Sequence, residues 1–112
     1  MKLTEIIEQL QLQVFTHTDM SAQDVLGGYT SDMLSDVLTN ASPGDVWVTV
    51  QKHPNIIAIA GMRDVAAIIL VKGRQPEEET LSQANEEKLP LLGTDMSAFE
   101  VVGKLYQLGL RG

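Results

Sequence analysis

Apolar residues change their spacing repeatedly along the chain, and each change marks an element. Leu3, Ile6, Ile7 and Leu10 fall at i, i+3, i+4 and i+7, one stripe of a helix over 2–10. Leu12, Val14 and Phe15 then suggest a short strand, followed by a polar loop over 16–23. Residues 25–30 read as a second extended piece, interrupted by Gly27 and Gly28. Ser31 suits the N-cap of a helix over 32–39 with Met33, Leu34, Val37 and Leu38 on one side. Ser42, Pro43, Gly44 and Asp45 have the chemistry of a turn. The β-branched and aromatic run Val46, Trp47, Val48, Thr49, Val50 is a strand.

The second half alternates. Pro54 fits the first turn of a helix over 55–63, with Ile56, Ile57, Ile59 and Ala60 inward. The unbroken apolar run over 66–71 is the pattern of a strand covered on both faces. Pro76 is expected to open another helix, where Glu77, Glu78 and Glu79 suit the positive end of the dipole. A short buried strand follows over 89–92, and Thr94 or Asp95 is expected to cap a last helix that runs to about Leu108 and stops at Gly109. Strand and helix alternate with short connections, so the strands are expected to be parallel and the crossovers right-handed. The fold class is α/β: a small, mainly parallel sheet flanked by helices, in a single domain over 1–112.

Composition narrows the function. A chain of 112 residues, 44% of them hydrophobic, suffices for one core without a metal or disulfide staple. Without cysteine there is no disulfide, thiolate metal site or cysteine nucleophile. The start, with Glu5 and Glu8 among alternating apolar and polar residues, lacks the basic head and apolar block of a signal peptide. No apolar stretch approaches the ~20 residues that cross a bilayer, so a cytoplasmic protein without membrane partners is expected. Eight Lys and Arg against fifteen Asp and Glu give a net charge of −7, and the basic residues are scattered, which argues against nucleic-acid binding. There is no G-x-G-x-x-G, no G-x-x-x-x-G-K-[ST], no nucleophile elbow and no metal-spaced pair in His17 and His53. The expectation is therefore a binding module without cofactor, with an enzyme using His53 as general base the least supported alternative.

The chain also resembles the DRTGG domain family, from the first helix to the end. The likeness rests on Asp24, Val25, Leu26, Gly27, Gly28 and Tyr29 with the stretch 31–37, then on Gly44, Asp45 and the strand after them with Gln51, Lys52, His53, Pro54, Asn55 and Ile56. It continues through 68–71, Gly73, Arg74, Pro90, Leu91, Leu92 and the stretch 97–100. Of the five-residue motif that names the family, the aspartate and both glycines stand here as Asp24, Gly27 and Gly28, while Val25 and Leu26 replace the arginine and threonine. The resemblance implies a regulatory or dimerising module. Such domains accompany CBS domains in some pyrophosphatases, precede the catalytic part of phosphotransacetylases, resemble the non-catalytic N-terminal domain of HPr kinase, and occur alone near iron-only hydrogenase genes. A kinase activity does not carry over, because the phosphate loop is missing.

Ligands of open parallel sheets bind beyond the carboxyl ends of the strands. Here those ends carry Gln51, Lys52, His53 and Asn55, then Lys72, Gly73 and Arg74, then Gly93, Thr94, Asp95 and Ser97. They are expected to form one polar rim that favours a small anion, for instance a nucleotide, with charge from Lys72 and Arg74 and fixed amides after Pro54 and Thr94. Gly27 and Gly28 join the candidates through the family motif. Each has a plainer reading: Thr94 and Ser97 as helix caps, His53 and Asn55 as partners of local backbone, Lys72 and Arg74 as solvated charges, Gly27 and Gly28 as a bulge or close approach. Tyr29 and Trp47 suit a core or an interface better than a base-stacking platform. The competing reading is an assembly module that buries Tyr29, Trp47 or Tyr106 against a partner protein or a second copy, and a homodimer is favoured over a monomer.

Overall fold

A computed structural model describes all residues, 1–112. Its centre is a five-stranded sheet of β1 (Gln13–Val14), β2 (Gly27–Thr30), β3 (Asp45–Thr49), β4 (Ala67–Leu70) and β5 (Leu91–Gly93), in the order β1-β5-β4-β3-β2. β2 to β5 are mutually parallel, as the alternation of elements requires, and β1 closes the far edge antiparallel to β5. The helices are α1 (Leu3–Leu10), α2 (Leu34–Asn40), α3 (Asn55–Met62), α4 (Glu78–Glu86) and α5 (Ala98–Gln107).

Side chains alternate across the central strands and feed two cores, making three layers. Val46, Val48, Ala67, Ile69 and Leu92 point to one face, where Leu3, Ile6 and Leu10 of α1 and Val101 and Leu105 of α5 cover them. Trp47, Ile68, Leu70 and Leu91 point to the other, under Val37 of α2, Ile56, Ile57 and Ala60 of α3, and Ala84 of α4. Each step from β2 to β5 moves one strand along the sheet, so crossovers of one hand keep α2, α3 and α4 on the same side. After β5 the chain changes sides, and α5 joins α1. No helix is long and apolar enough to cross a membrane.

Element ends depart from the sequence expectation where side chains find better partners. Ser31 does not cap α2. Its hydroxyl accepts from Met33 N at 3.2 Å, while the Asp32 carboxylate turns to β3, so the helix starts at Leu34 without a side-chain cap. Of its expected inner face only Val37 is buried and Leu34 packs partly; Met33 and Leu38 are exposed. α4 begins two residues after Pro76, at Glu78, once Glu77 N has bonded to Lys52 O at 3.3 Å. The cap of α5 is Ser97, whose Oγ accepts from Glu100 N at 3.2 Å, and not Thr94 or Asp95. Gly109, at φ +105°, stops the chain from continuing that helix, as expected.

α2 also carries a titrating group. Donors around Asp36, first the Ser31 hydroxyl and then Tyr29 Oη and Asn40 Nδ2 (both 2.8 Å away), hold its carboxyl below the ordinary range. A lowered folded-state pKa contributes stability above the unfolded value, which is lost as pH falls through the folded one. Wild type should therefore lose stability below about pH 4 more steeply than Asp36→Asn, and urea unfolding at a series of pH values measures the difference.

Candidate functional site

Because β3, β4 and β5 run parallel, their exits share one edge of the sheet. Successive connections leave that edge for opposite faces only between β4, which leads to α4, and β5, which leads to α5. That is the topological switch point, where open α/β sheets form a crevice. A cleft of about 320 Å³ lies there. The β4–α4 loop supplies Gly73, Arg74 and Gln75, and the β5 exit supplies Gly93, Thr94, Asp95 and Met96. The third wall is the end of α1 and β1, with Gln11, Gln13 and Phe15.

Local hydrogen bonds shape these loops. Lys72 and Gly73 both take the left-handed conformation, at φ 59° and 70°. Lys72 N donates to Met96 O at 2.8 Å and Gly73 N to Thr94 O at 2.9 Å, which ties the two exits together. Thr94 Oγ1 accepts from Met96 N at 3.2 Å, closing a turn ahead of α5. Gly93 is required for space: a Cβ there would sit 2.5 Å from the Phe15 ring. Arg74 makes no ion pair, since the one ion pair in the chain joins the N-terminal ammonium to Asp24 at 3.2 Å. Nor does its guanidinium hydrogen-bond to any protein group, unlike those of Arg63 and Arg111, which donate to backbone carbonyls.

The sequence-derived candidates divide into four groups. Gly73, Arg74 and Thr94 line the cleft, and Lys72 and Ser97 flank it without lining it. Gln51, His53 and Asn55 lie on the next exit and are held by structural bonds. Gln51 Nε2 donates to Asp32 O at 3.0 Å, and Asn55 N donates to His53 Nδ1 at 3.2 Å. Asp32 organises that corner, its Oδ1 accepting from Thr49 Oγ1 at 2.8 Å and Val50 N at 2.9 Å. Gly27 and Gly28 stand elsewhere altogether. They pair with Asp45 and Val46 at the start of β3, so they lie at the opposite edge of the sheet. There is no bulge. Instead Gly27 permits a close approach, since a Cβ would lie 2.7 Å from Arg111 O and 2.9 Å from Asp45 Oδ1.

The amides expected to serve as fixed anion donors are spent after Pro54 but only in part after Thr94, where Asp95 N, Ser97 N, Ala98 N and Phe99 N have no partner in the chain. After Pro54, Asn55 N bonds to His53 Nδ1 and Ile56 N to His53 O. After Thr94, Met96 N and Glu100 N bond to the Thr94 and Ser97 hydroxyls. The free donors at the cleft are the Arg74 guanidinium, the side-chain amides of Gln11, Gln13 and Gln75, and the backbone N–H groups of Gln75 and Asp95. Sequence reasoning missed the three glutamines, Phe15 and Met96 as wall residues. Gly93 and Asp95 sat within the expected rim, but nothing local tied 11–15 to 93–96.

Comparison with known proteins places this geometry. No curated protein matches the chain. Among solved structures, it is similar to the CBS and DRTGG domains of the regulatory region of Clostridium perfringens pyrophosphatase, determined in complex with the activator diadenosine tetraphosphate. The TM-score is 0.66 at 16% identity, and the match covers 91% of this chain but 44% of that one, so the chain spans less than half of its structural neighbour. The family model described as the DRTGG domain matches residues 5–108, nearly the whole sequence, and the chain belongs to the DRTGG domain family.

Proposed function

We propose that this domain is a non-catalytic regulatory module that senses a small anionic ligand, such as a nucleotide, in the cleft between the β4 and β5 exits. The observation that carries the reading is Arg74: a cation without a protein partner, at the switch point of the sheet, facing a cleft whose other polar side chains are the amides of Gln11, Gln13 and Gln75, the Thr94 hydroxyl and the Asp95 carboxylate. Its charge would meet a phosphate, and the glutamines and Asp95 offer partners for ribose hydroxyls or a base edge. The similar regulatory region, which was determined with a dinucleotide activator, supports the choice of ligand class.

The test is a thermal-shift and calorimetric titration with diadenosine tetraphosphate, ATP, AMP and inorganic phosphate. A ligand at 100 times its dissociation constant adds about 2.7 kcal/mol to stability. Arg74→Ala is expected to weaken the nucleotide by about 1–3 kcal/mol, the range for a charged hydrogen bond, with the melting temperature of the free domain unchanged. No shift with any of the four compounds would remove the sensor reading. The remaining one is an assembly module, and one surface favours it specifically.

A further inference from the structure

α5 has two apolar faces, and the core uses one. Val101 and Leu105 are buried against the sheet. At 3.6 residues per turn, Gly103 then points directly away from it. On one flank of Gly103 stand Phe99 and Tyr106, 87% and 56% exposed, with half-buried Val102 beside them. On the other flank stand Glu100, Lys104 and Gln107, all exposed. Two of these features have no function inside the chain. A large apolar ring left almost wholly in water is characteristic of a contact surface. A glycine inside a helix is destabilising relative to alanine, yet a Cβ at Gly103 would meet nothing within 4 Å.

We propose that this face of α5 docks against the same face of a second copy, the two helices antiparallel about a two-fold axis. The occupant follows from self-complementarity. A two-fold axis perpendicular to the helices reverses their direction but keeps each flank on its own side, as an isologous contact requires. The aromatic flank then meets the aromatic flank, with Phe99 beside Tyr106 of the second copy. The centre of that pairing falls between Val102 and Gly103, so the missing side chain lies where the helix axes come closest. On the other flank Glu100 faces Lys104 of the second copy. This pairing is balanced in charge, whereas the chain as a whole carries −7. The aromatic flank also runs into a groove of about 310 Å³ between α5 and the edge strand β2, walled by Val102, Leu105 and Tyr106. Phe99 of the second copy arrives at its mouth.

One helix face with the adjoining groove is a small interface, so association in the micromolar range, roughly, is expected. Sedimentation equilibrium from low micromolar to near-millimolar protein should show the mass rise from one chain of 12.2 kDa toward two. Gly103→Leu should hold the protein at one chain while melting no lower than wild type, because the added side chain has open space in the monomer. Lys104→Glu, an exposed change that leaves the fold alone, should weaken association at least about tenfold by setting like charges together, and Glu100→Lys in the same chain should restore it. A mass that stays at one chain at every concentration would overturn the proposal. So would a dimer that neither Gly103→Leu nor Lys104→Glu weakens, since the contact would then lie on another surface. Neither result bears on the cleft at Arg74, whose ligands are read separately by titration.

Discussion

Replacing Trp47 by alanine is expected to cost about 3–5 kcal/mol of folding stability, the range for emptying a fully buried aromatic site. Trp47 has no exposed surface, lies in the core beneath α2 and α3, and donates its indole Nε1–H to Ser31 O at 2.9 Å. The alanine variant therefore loses packing on the sheet and also leaves the Ser31 carbonyl short of a donor just where the chain turns from β2 into α2. In a domain of this size each kilocalorie moves the melting temperature by roughly 4–8 °C, so the variant should melt at least about 10 °C lower. Thermal and urea unfolding followed by circular dichroism measure the loss. Trp47→Phe should recover much of the packing but not the hydrogen bond, and a melting point that it restored fully would show that the indole bond contributes nothing. Because Trp47 lies on β3, away from the Arg74 cleft, ligand affinity in the folded fraction should stay unchanged.

The legibility of this protein follows the range of its interactions. The strand around Trp47 could be read because a run of β-branched residues has one stable use, a strand packed on both faces. The parallel order followed from the elements alternating with connections too short for anything else. Those two inferences placed Arg74 and Thr94 at one edge of the sheet without any contact being known. They could not reveal the other wall of the cleft. Gln13 meets Gly93 through an antiparallel pairing between positions 80 residues apart, formed by a strand of two residues with no periodicity of its own. Helix starts were misread for a different reason. Ser31, Thr94 and Ser97 all have capping chemistry, and which of them caps depends on where Asp32 and the strand exits direct the backbone. On α5 the sequence offered Tyr106 as an interface residue, but Phe99, Val102 and Gly103 join it as one face only once Val101 and Leu105 are seen to occupy the core side of the helix.

Gly27→Ala is expected to separate the motif that names the family from the site proposed here. The methyl group would lie 2.7 Å from Arg111 O, a backbone atom, and 2.9 Å from the Asp45 carboxylate, so the chain must move. What moves is the C-terminal tail, which Gly28 N holds through Arg111 O at 3.1 Å along the outer edge of β2. Arg111 in turn stacks over the Tyr106 ring at 3.7 Å and donates to Tyr106 O at 2.9 Å, so displacing the tail also disturbs the end of α5. Asp45 has no easy retreat either, being buried with its Oδ2 accepting from Ser42 N at 2.8 Å. Overpacking of this kind costs about 1–3 kcal/mol. The expected result is a lower melting temperature with nucleotide affinity in the folded protein unchanged, the reverse of Arg74→Ala, which should lower affinity and spare stability. The two variants, each taken through thermal unfolding and titration with the same nucleotide, make a crossed test. If Gly27→Ala abolished binding in a protein that still melts cooperatively, while Arg74→Ala left it intact, the ligand would sit at the start of β2 and not at the strand exits. Gly27 would then be a contact residue, and the role argued here, of letting two backbone segments pass at close range, would be insufficient to explain it.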